Sequence, residues 1–401
     1  MPELAIVADD LSGASEAAAA FLLRTTRIAV HLYTPAHGTG VASSERVLAI
    51  DTDSRRSSPV DAAARVQAAL ASLSGVPVLK KVDSLLRGNL SSEVEALRGL
   101  LGAAPIVATA LPVADRVVVD GVLRVGGVPL HQTRLWHAER NPAPRTVAEA
   151  LAPLDTWAVP LATVRRGVDA LAQSLAAAAA AGLVAVCDSE SDSDLDAVYA
   201  ASHRVSERPL LVGSAALAAA AARALEPDDQ QPAAGMPVAE AVLVVAGSAA
   251  PSLPVQLPAL ESSADAVLRL DPHALLRDPD AARREVAARV RGARCAVVSL
   301  DGSAGVRPDL APRLAAALAQ AVASPAADGR ALVLTGGETA REVLDLLGID
   351  RLLPVAERWG AVISRAGGRL VVTRPGSFGG PTSLADLVTS LLTEPVPEEP
   401  T

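Results

Sequence analysis

The sequence predicts an α/β protein of two domains, each a mainly parallel sheet flanked by helices, with a cleft between them. Three observations carry that prediction. Short apolar runs alternate with helical stretches of about ten to fifteen residues, the βαβ rhythm of a parallel sheet. At 401 residues the chain exceeds the roughly 250 to 300 over which a single core keeps growing. Hydrophobic residues make up 50% and aromatics only 2%, so the cores are built from Ala, Val and Leu, which suits helices packed on parallel strands.

Taken in order, Leu4 to Ala8 reads as a strand ending in Asp9-Asp10, with a helix from Ser15 to Leu23 behind it. Two carboxylates at the end of a first parallel strand bind a sugar hydroxyl or a metal-bound water, or one of them caps the helix. Arg27 to Leu32 and Val47 to Ile50 are further strands, the second stopping just before Ser54 and Arg55. After a helix over Asp61 to Leu73, Val76 to Leu79 leads into Lys80-Lys81-Val82-Asp83-Ser84-Leu85-Leu86-Arg87-Gly88. These are the two lysines of the chain, set against 34 arginines. Such a composition implies that surface charge has drifted to Arg and that the surviving pair stands where a planar guanidinium cannot replace a compact ammonium. The strand end then delivers Lys81, Asp83, Ser84 and Arg87 to a loop, which is where open α/β sheets bind ligands; by strand alternation Lys81 and Asp83 share a face and Lys80 takes the other. A structural ion-pair cluster is the alternative.

A helix near Ser92 to Leu101 and a strand from Pro105 follow, then a small hairpin, Val117 to Val119 and Leu123 to Val125, around Asp120-Gly121. His131, Trp136 and His137 lie in a Pro-rich loop, where such residues usually sit on the surface. Strand and helix resume at Leu183 to Cys187, Leu195 to Val205 and Pro209 to Val212. The acidic, Pro-rich segment from Glu226 to Gly235 lacks apolar periodicity, which places a linker over 226–238 between domains of 1–225 and 239–401.

In the second half, Gly247-Ser248, Thr335-Gly336-Gly337-Glu338-Thr339 and Arg374-Pro375-Gly376-Ser377 each end a buried strand before a helix or turn. Glycine lets the backbone approach phosphate oxygens, and the free N–H groups at a helix start favour an anion. Three such loops in one domain point to nucleotide binding. Neither a Gly-x-x-x-x-Gly-Lys-[Ser/Thr] P-loop nor a strand-linked Gly-x-Gly-x-x-Gly is present, which disfavours P-loop kinases and NAD dehydrogenases. The net charge of −9 and the absence of a basic tract argue against nucleic acid. Cys187 and Cys295 are isolated in apolar runs and read as reduced core residues, and the alanine-rich run from Leu175 is too short for a membrane span. The first residues carry no signal-peptide pattern, so a cytoplasmic protein is expected.

The sequence resembles the four-carbon acid sugar kinase family, once catalogued as a family of unknown function. The likeness spans nearly the whole chain and rests on Ala8-Asp9-Asp10-Leu11-Ser12-Gly13-Ala14, Lys80 to Asn89 with Glu93, Gly247-Ser248, Thr335 to Thr339 and Gly376-Ser377-Phe378-Gly379. It implies a first domain that binds the sugar acid, a second that binds ATP, and phosphoryl transfer from Mg-ATP to the terminal hydroxyl of a threonate, erythronate or 3-oxo-tetronate. By position Ser248, Gly336, Gly337, Glu338, Thr339 and Gly376 would contact the nucleotide. Four positions depart from the family pattern: Ser12 and Leu85 where Thr is usual, Asp115 where Gly precedes an Arg, and Arg374 in place of Lys.

Phosphoryl transfer asks for positioning, charge neutralisation and a group that takes a proton. Lys81 and Arg87 are expected at the substrate carboxylate or transferring phosphate. Asp83 is the leading base or hydroxyl orienter, with Asp10 second. Asp9, Asp10, Ser54, Arg55, Lys80 and Ser84 are expected to bind substrate. The metal ligands and the oligomeric state are left open. A non-catalytic sugar-acid sensor and a Schiff-base aldolase using Lys81 are the alternatives.

Overall fold

Strands that are apolar along their whole length need helices on both faces, and both halves of the chain are built that way. The computed structural model describes residues 2–34, 44–136, 139, 141–228, 238–248, 250, 252–302, 309–376 and 379–393. The chain divides into two compact units, 1–231 and 232–401. The division falls inside the expected linker, of which residues 229–237 lie outside the described residues, as do His137, Ser377 and Phe378. The linker's first residues dock on the first unit: Arg46 Nη1 donates to the Glu226 carbonyl at 2.9 Å, and Asp228 N to the Arg24 carbonyl at 2.8 Å.

In the first unit the elements run β1 (Leu4–Ala8), α1 (Leu11–Ala19), β2 (Ile28–Leu32), β3 (Val47–Asp51), α2 (Pro59–Leu70), β4 (Val78–Lys81), α3 (Leu90–Leu101), β5 (Pro105–Ala108), β6 (Arg116–Val119), β7 (Val122–Val125), β8 (Val128–Pro129), α4 (Val147–Ala150), β9 (Thr156–Val159), α5 (Leu161–Val164), α6 (Val168–Ala180), β10 (Val184–Cys187), α7 (Asp192–Val205), β11 (Leu210–Gly213) and α8 (Ala215–Ala224). Eight strands form a wholly parallel sheet in the order β2-β3-β1-β4-β11-β5-β10-β9. After β1 the chain moves to one side, through β2 and β3; after β4 it moves to the other. Right-handed crossovers in opposite directions put their helices on opposite faces: α1 packs with α8, and α2 with α3. The crevice at the carboxyl ends of β1 and β4 is therefore the topological switch point. The expected hairpin is β6 and β7, joined by β8 into a three-stranded sheet and bridged to the rest of the unit by paired bonds of 2.9 Å between Val118 and Ser189.

The second unit contains β12 (Val242–Ala246), α9 (Leu253–Glu261), β13 (Ala266–Leu270), α10 (Pro272–Arg277), α11 (Pro279–Val290), β14 (Cys295–Leu300), α12 (Ala311–Ala327), β15 (Ala331–Thr335), α13 (Gly337–Leu346), β16 (Arg351–Arg358), β17 (Ala361–Ala366), β18 (Arg369–Arg374) and α14 (Ser383–Leu392). Its strands run β13-β14-β12-β15-β18-β17-β16, with β17 antiparallel to both neighbours and the other pairs parallel. Here the switch point lies between β12 and β15. Burial raises the thiols of Cys187 to about 12 and of Cys295 to about 11, as for inert core cysteines.

Candidate functional site

In the first unit the ends of β1, β3 and β4 gather charge of both signs. Ala8 lies in register with Lys81 of β4 and with Asp51 of β3, so Asp9, Asp10 and the turns after β3 and β4 leave the sheet side by side. Asp9 is 3% exposed and takes both forks of Arg55, Nε to Oδ2 at 2.8 Å and Nη2 to Oδ1 at 2.9 Å. Arg55 Nη2 also reaches Asp10 Oδ1 at 2.7 Å. Asp10 caps α1, its Oδ1 accepting from Gly13 N at 3.0 Å, and among the described residues its Oδ2 accepts nothing. Burial opposes ionisation of Asp9, yet Arg55 and Lys80 outweigh it and hold the carboxyl below the usual range.

The two lysines part as alternation requires. Lys80 faces α3, fully enclosed, with its Nζ 2.9 Å from Glu93 Oε2. Glu93 also accepts from Ser54 Oγ, and Thr52 and Ser54 hydroxyls meet at 2.7 Å. Lys80 and Ser54 thus stand in a sealed network beneath the switch point. Lys81 faces α1, its Nζ 3.5 Å from Glu16 Oε2 and 2.9 Å from where a β-carbon on Gly13 would lie. Because β4 ends at Lys81, the turn presents Asp83, not strand alternation. Both Asp83 oxygens are taken: Arg87 Nε donates to Oδ2 at 2.6 Å and Nη2 to Oδ1 at 2.8 Å, while the amides of Leu85 and Arg87 add to Oδ2 at 3.2 and 3.3 Å. Burial would raise this carboxyl, but the guanidiniums of Arg87 and Arg55 and the Lys81 ammonium hold it far below the ordinary range. Asp9 and Asp83 therefore contribute stability that is complete above about pH 3.9 and is lost as the pH falls through their depressed values.

Arg116 was not among the expected site residues. It opens β6 and donates through Nη1 to Ser84 Oγ. The signal in sequence was its place beside Asp115, the departure from a Gly-Arg pair. Asp115 has φ 52°, a left-handed conformation that costs glycine nothing and that Asp tolerates better than most residues, so the departure keeps the turn that aims Arg116. The Leu85 departure falls away from the charges, since its side chain is buried in the apolar core. His131 is exposed beside Gln132, and Trp136 Nε1 donates to the Asn141 carbonyl at 2.8 Å. A cavity of about 570 Å³ opens at the opposite end of the strands, where Leu70, Leu101, Ile106 and Leu175 line it together with Ser202 and Arg208; it is remote from the charges at the carboxyl ends.

In the second unit Ala246, Thr335 and Arg374 end β12, β15 and β18 in mutual register, so the three Gly-bearing loops leave adjacent strands at one level. They touch. A β-carbon on Gly376 would lie 1.9 Å from Ser248 Oγ, one on Gly336 3.3 Å from Ser248 Cβ, and one on Gly247 2.1 Å from Thr339 Oγ1. Gly336 holds φ 90° and opens α13, whose first turn carries Gly337, Glu338 and Thr339. Arg374 is buried behind the last loop, donating to Gln256 Oε1 at 2.6 Å and Ser383 Oγ at 2.8 Å. This guanidinium, where the family pattern has Lys, props the loop through Gln256, whose amide reaches the Gly379 carbonyl at 3.3 Å.

Two family models match the chain, a Sugar-binding N-terminal domain over residues 4–221 and a Nucleotide-binding C-terminal domain over residues 243–384. The chain belongs to the four-carbon acid sugar kinase family. This family member is 34% identical to D-threonate kinase of Cupriavidus necator, over 94% of this chain and 95% of that one. It is 33% identical to 3-oxo-tetronate kinase of Methylobacterium radiotolerans, over 94% of this chain and 96% of that one. Among solved structures, a Haemophilus influenzae protein superimposes with a TM-score of 0.70 at 21% identity, covering 97% of this chain and 100% of that one, a likeness of fold. The resemblance read from the motifs and the two-domain α/β fold are both borne out.

Gly88 tests the geometry of the kinase family member's first unit. Its β-carbon would lie 2.8 Å from Asp9 Oδ2 at φ 93°, whereas Gly102, at φ 61°, has open space around it. Gly102→Ala should cost the backbone penalty alone, about 1 kcal/mol. Gly88→Ala should cost at least about 1 kcal/mol more in chemical denaturation, because it also forces Asp9 from Arg55.

Proposed function

We propose that the protein transfers the γ-phosphoryl of Mg-ATP to the terminal hydroxyl of a four-carbon sugar acid of the threonate, erythronate or 3-oxo-tetronate type. The observation that carries this reading is the contact of three glycine loops at the ends of β12, β15 and β18. In it, Gly336, Gly337 and Gly376 let the backbone meet the phosphates, the first amides of α13 donate to them, and Ser248, Glu338 and Thr339 complete the nucleotide contacts. Neither a sensor nor a Schiff-base aldolase has a use for such a cradle.

Magnesium would enter as part of the substrate, Mg-ATP, and would neutralise charge on the β- and γ-phosphates. Among the described residues no group of three or more His, Cys, Asp or Glu is arranged to hold a metal ion. The chain's own work is on the acid. Asp9 orients Arg55, and Arg55 orients Asp10. Asp10 Oδ2, unengaged among the described residues, accepts the proton of the attacking hydroxyl as its oxygen bonds to phosphorus and the bond to the ADP oxygen breaks. Asp83 is fully occupied by Arg87 and acts through it, fixing the guanidinium and the Ser84 turn. Lys81, on the α1 face, offers a point charge to the transferring phosphoryl. Lys80 acts from below through Glu93 and Ser54. No helix of the described residues is long and apolar enough to cross a membrane, and a requirement for ATP favours the cytoplasm.

A coupled ADP-release assay over threonates, erythronates and their oxo forms should find at least one acid-dependent activity that a chelator abolishes and magnesium restores; its absence over that panel, with folded protein, contradicts the reading. Gly336→Val puts a branched side chain at φ 90° beside Ser248 and should weaken ATP binding while leaving acid binding measurable. Lys81→Arg tests the crowding around Gly13 and Glu16: a displacement of about 1 Å can lower turnover on the order of a hundredfold, with ATP affinity nearly unchanged. Near-normal turnover of that variant would remove Lys81 from the reacting centre.

A further inference from the structure

We propose that Arg116, with Ser84 beside it, receives the carboxylate of the substrate and so decides which end of the acid faces the phosphoryl donor. The inference rests on the kinase reading for the class of substrate and deepens it. Of the cations gathered at the ends of β1, β3 and β4, the others already have carboxylates: Arg55 has Asp9 and Asp10, Arg87 has both oxygens of Asp83, and Lys81 has Glu16. Arg116 has none within ion-pair distance among the described residues. Among the described residues its one side-chain hydrogen bond goes to Ser84 Oγ, and its Nε is buried without an acceptor.

A buried donor left without an acceptor is costly, and the Nε and Nη edge of a guanidinium is the fork that a carboxylate fills with two parallel bonds. Burial weakens the hold of Arg116 on its charge, with Asp83 partly opposing, and an anion bound there would offset that penalty. The phosphoryl group arrives with its own metal ion and amide cradle, whereas the sugar acid brings an unneutralised carboxylate that the first unit must match. Arg116 is also rigidly mounted. Leu111 and Arg116 exchange backbone hydrogen bonds at 2.7 and 3.2 Å, and Val118 is tied to Ser189, so the guanidinium is pre-positioned on a strand.

The test uses full-length Arg116→Gln and Arg116→Lys with the best acid substrate and with its tetritol, in which a hydroxymethyl group replaces the carboxylate. Arg116→Gln should raise KM for the acid on the order of thirty- to a hundredfold, the loss of a charge-assisted pair. The KM for ATP should stay near wild type, and the preference for acid over tetritol should shrink by the same factor. Arg116→Lys should recover part of the loss. An acid KM within about threefold of wild type, or a loss carried by kcat with acid preference intact, overturns the inference. Should Arg116→Gln fail to fold, Arg116→Lys decides by the same split. Calorimetric binding of the acid without nucleotide separates the two claims. A wild type that binds acid but never turns it over defeats the kinase reading alone, and loss of binding in Arg116→Gln then upholds Arg116. An Arg116→Gln protein that binds acid as wild type does defeats the Arg116 inference alone. A wild type that binds no acid defeats both.

Discussion

The pairing of Asp9 with Arg55 is the interaction on which the first unit's site depends. A carboxylate 3% exposed at the end of a buried strand is tolerable only because a guanidinium meets it with both forks, and removing either partner of such a pair costs about 3–5 kcal/mol. The pair also dictates its surroundings. Gly88 must lack a side chain so that Asp9 and Arg55 can meet. Asp10 is drawn into the same guanidinium while it caps α1. Three strands that need only pack are thereby forced to end at one level, and the level they share is the switch point.

Around that pair the molecule separates charge that is spent from charge that is available. Lys80, Glu93 and Ser54 form a closed set under the sheet ends, and Asp83 is consumed by Arg87 and two amides. Among the described residues, the charge that remains open is small: one oxygen of Asp10, the Lys81 ammonium held loosely by Glu16, and the unmatched edge of Arg116. Those three groups are an acceptor, a point charge and a planar fork. A hydroxy acid undergoing phosphoryl transfer asks for that combination, a proton acceptor at one end and a carboxylate anchor at the other.

Much of this was legible in the sequence. The apolar runs gave the strands because they are buried on both faces, and the lysine pair stood out because 34 arginines elsewhere made it anomalous. Alternation placed Lys80 and Lys81 on opposite faces correctly. It could not show that β4 stops at Lys81, nor that Arg87 would close on Asp83 from four residues along, since both are decided by turn geometry. Arg116 was hidden because it reaches the cluster from an inserted sheet 32 residues downstream of Ser84, and its one local signal, the place after Asp115 where a Gly-Arg pair is usual, does not say what it faces. In the second unit the three glycine loops were each weak, and their mutual contact emerges only from the register of β12, β15 and β18. The half-exposed helix α11 and the strand β16 lack clear apolar periodicity and were not anticipated.

We propose that the acid and the nucleotide have separate, pre-built sites at the two switch points. The most direct test is a crystal structure of the full chain with a tetronate and a non-hydrolysable ATP analogue. The acid should lie against Asp10, Ser84 and Arg116, and the analogue's phosphates against Ser248, Gly336 and Gly376. Acid found instead in the cavity near Leu70 and Leu175, or phosphates bound in the first unit with the glycine loops empty, would contradict it.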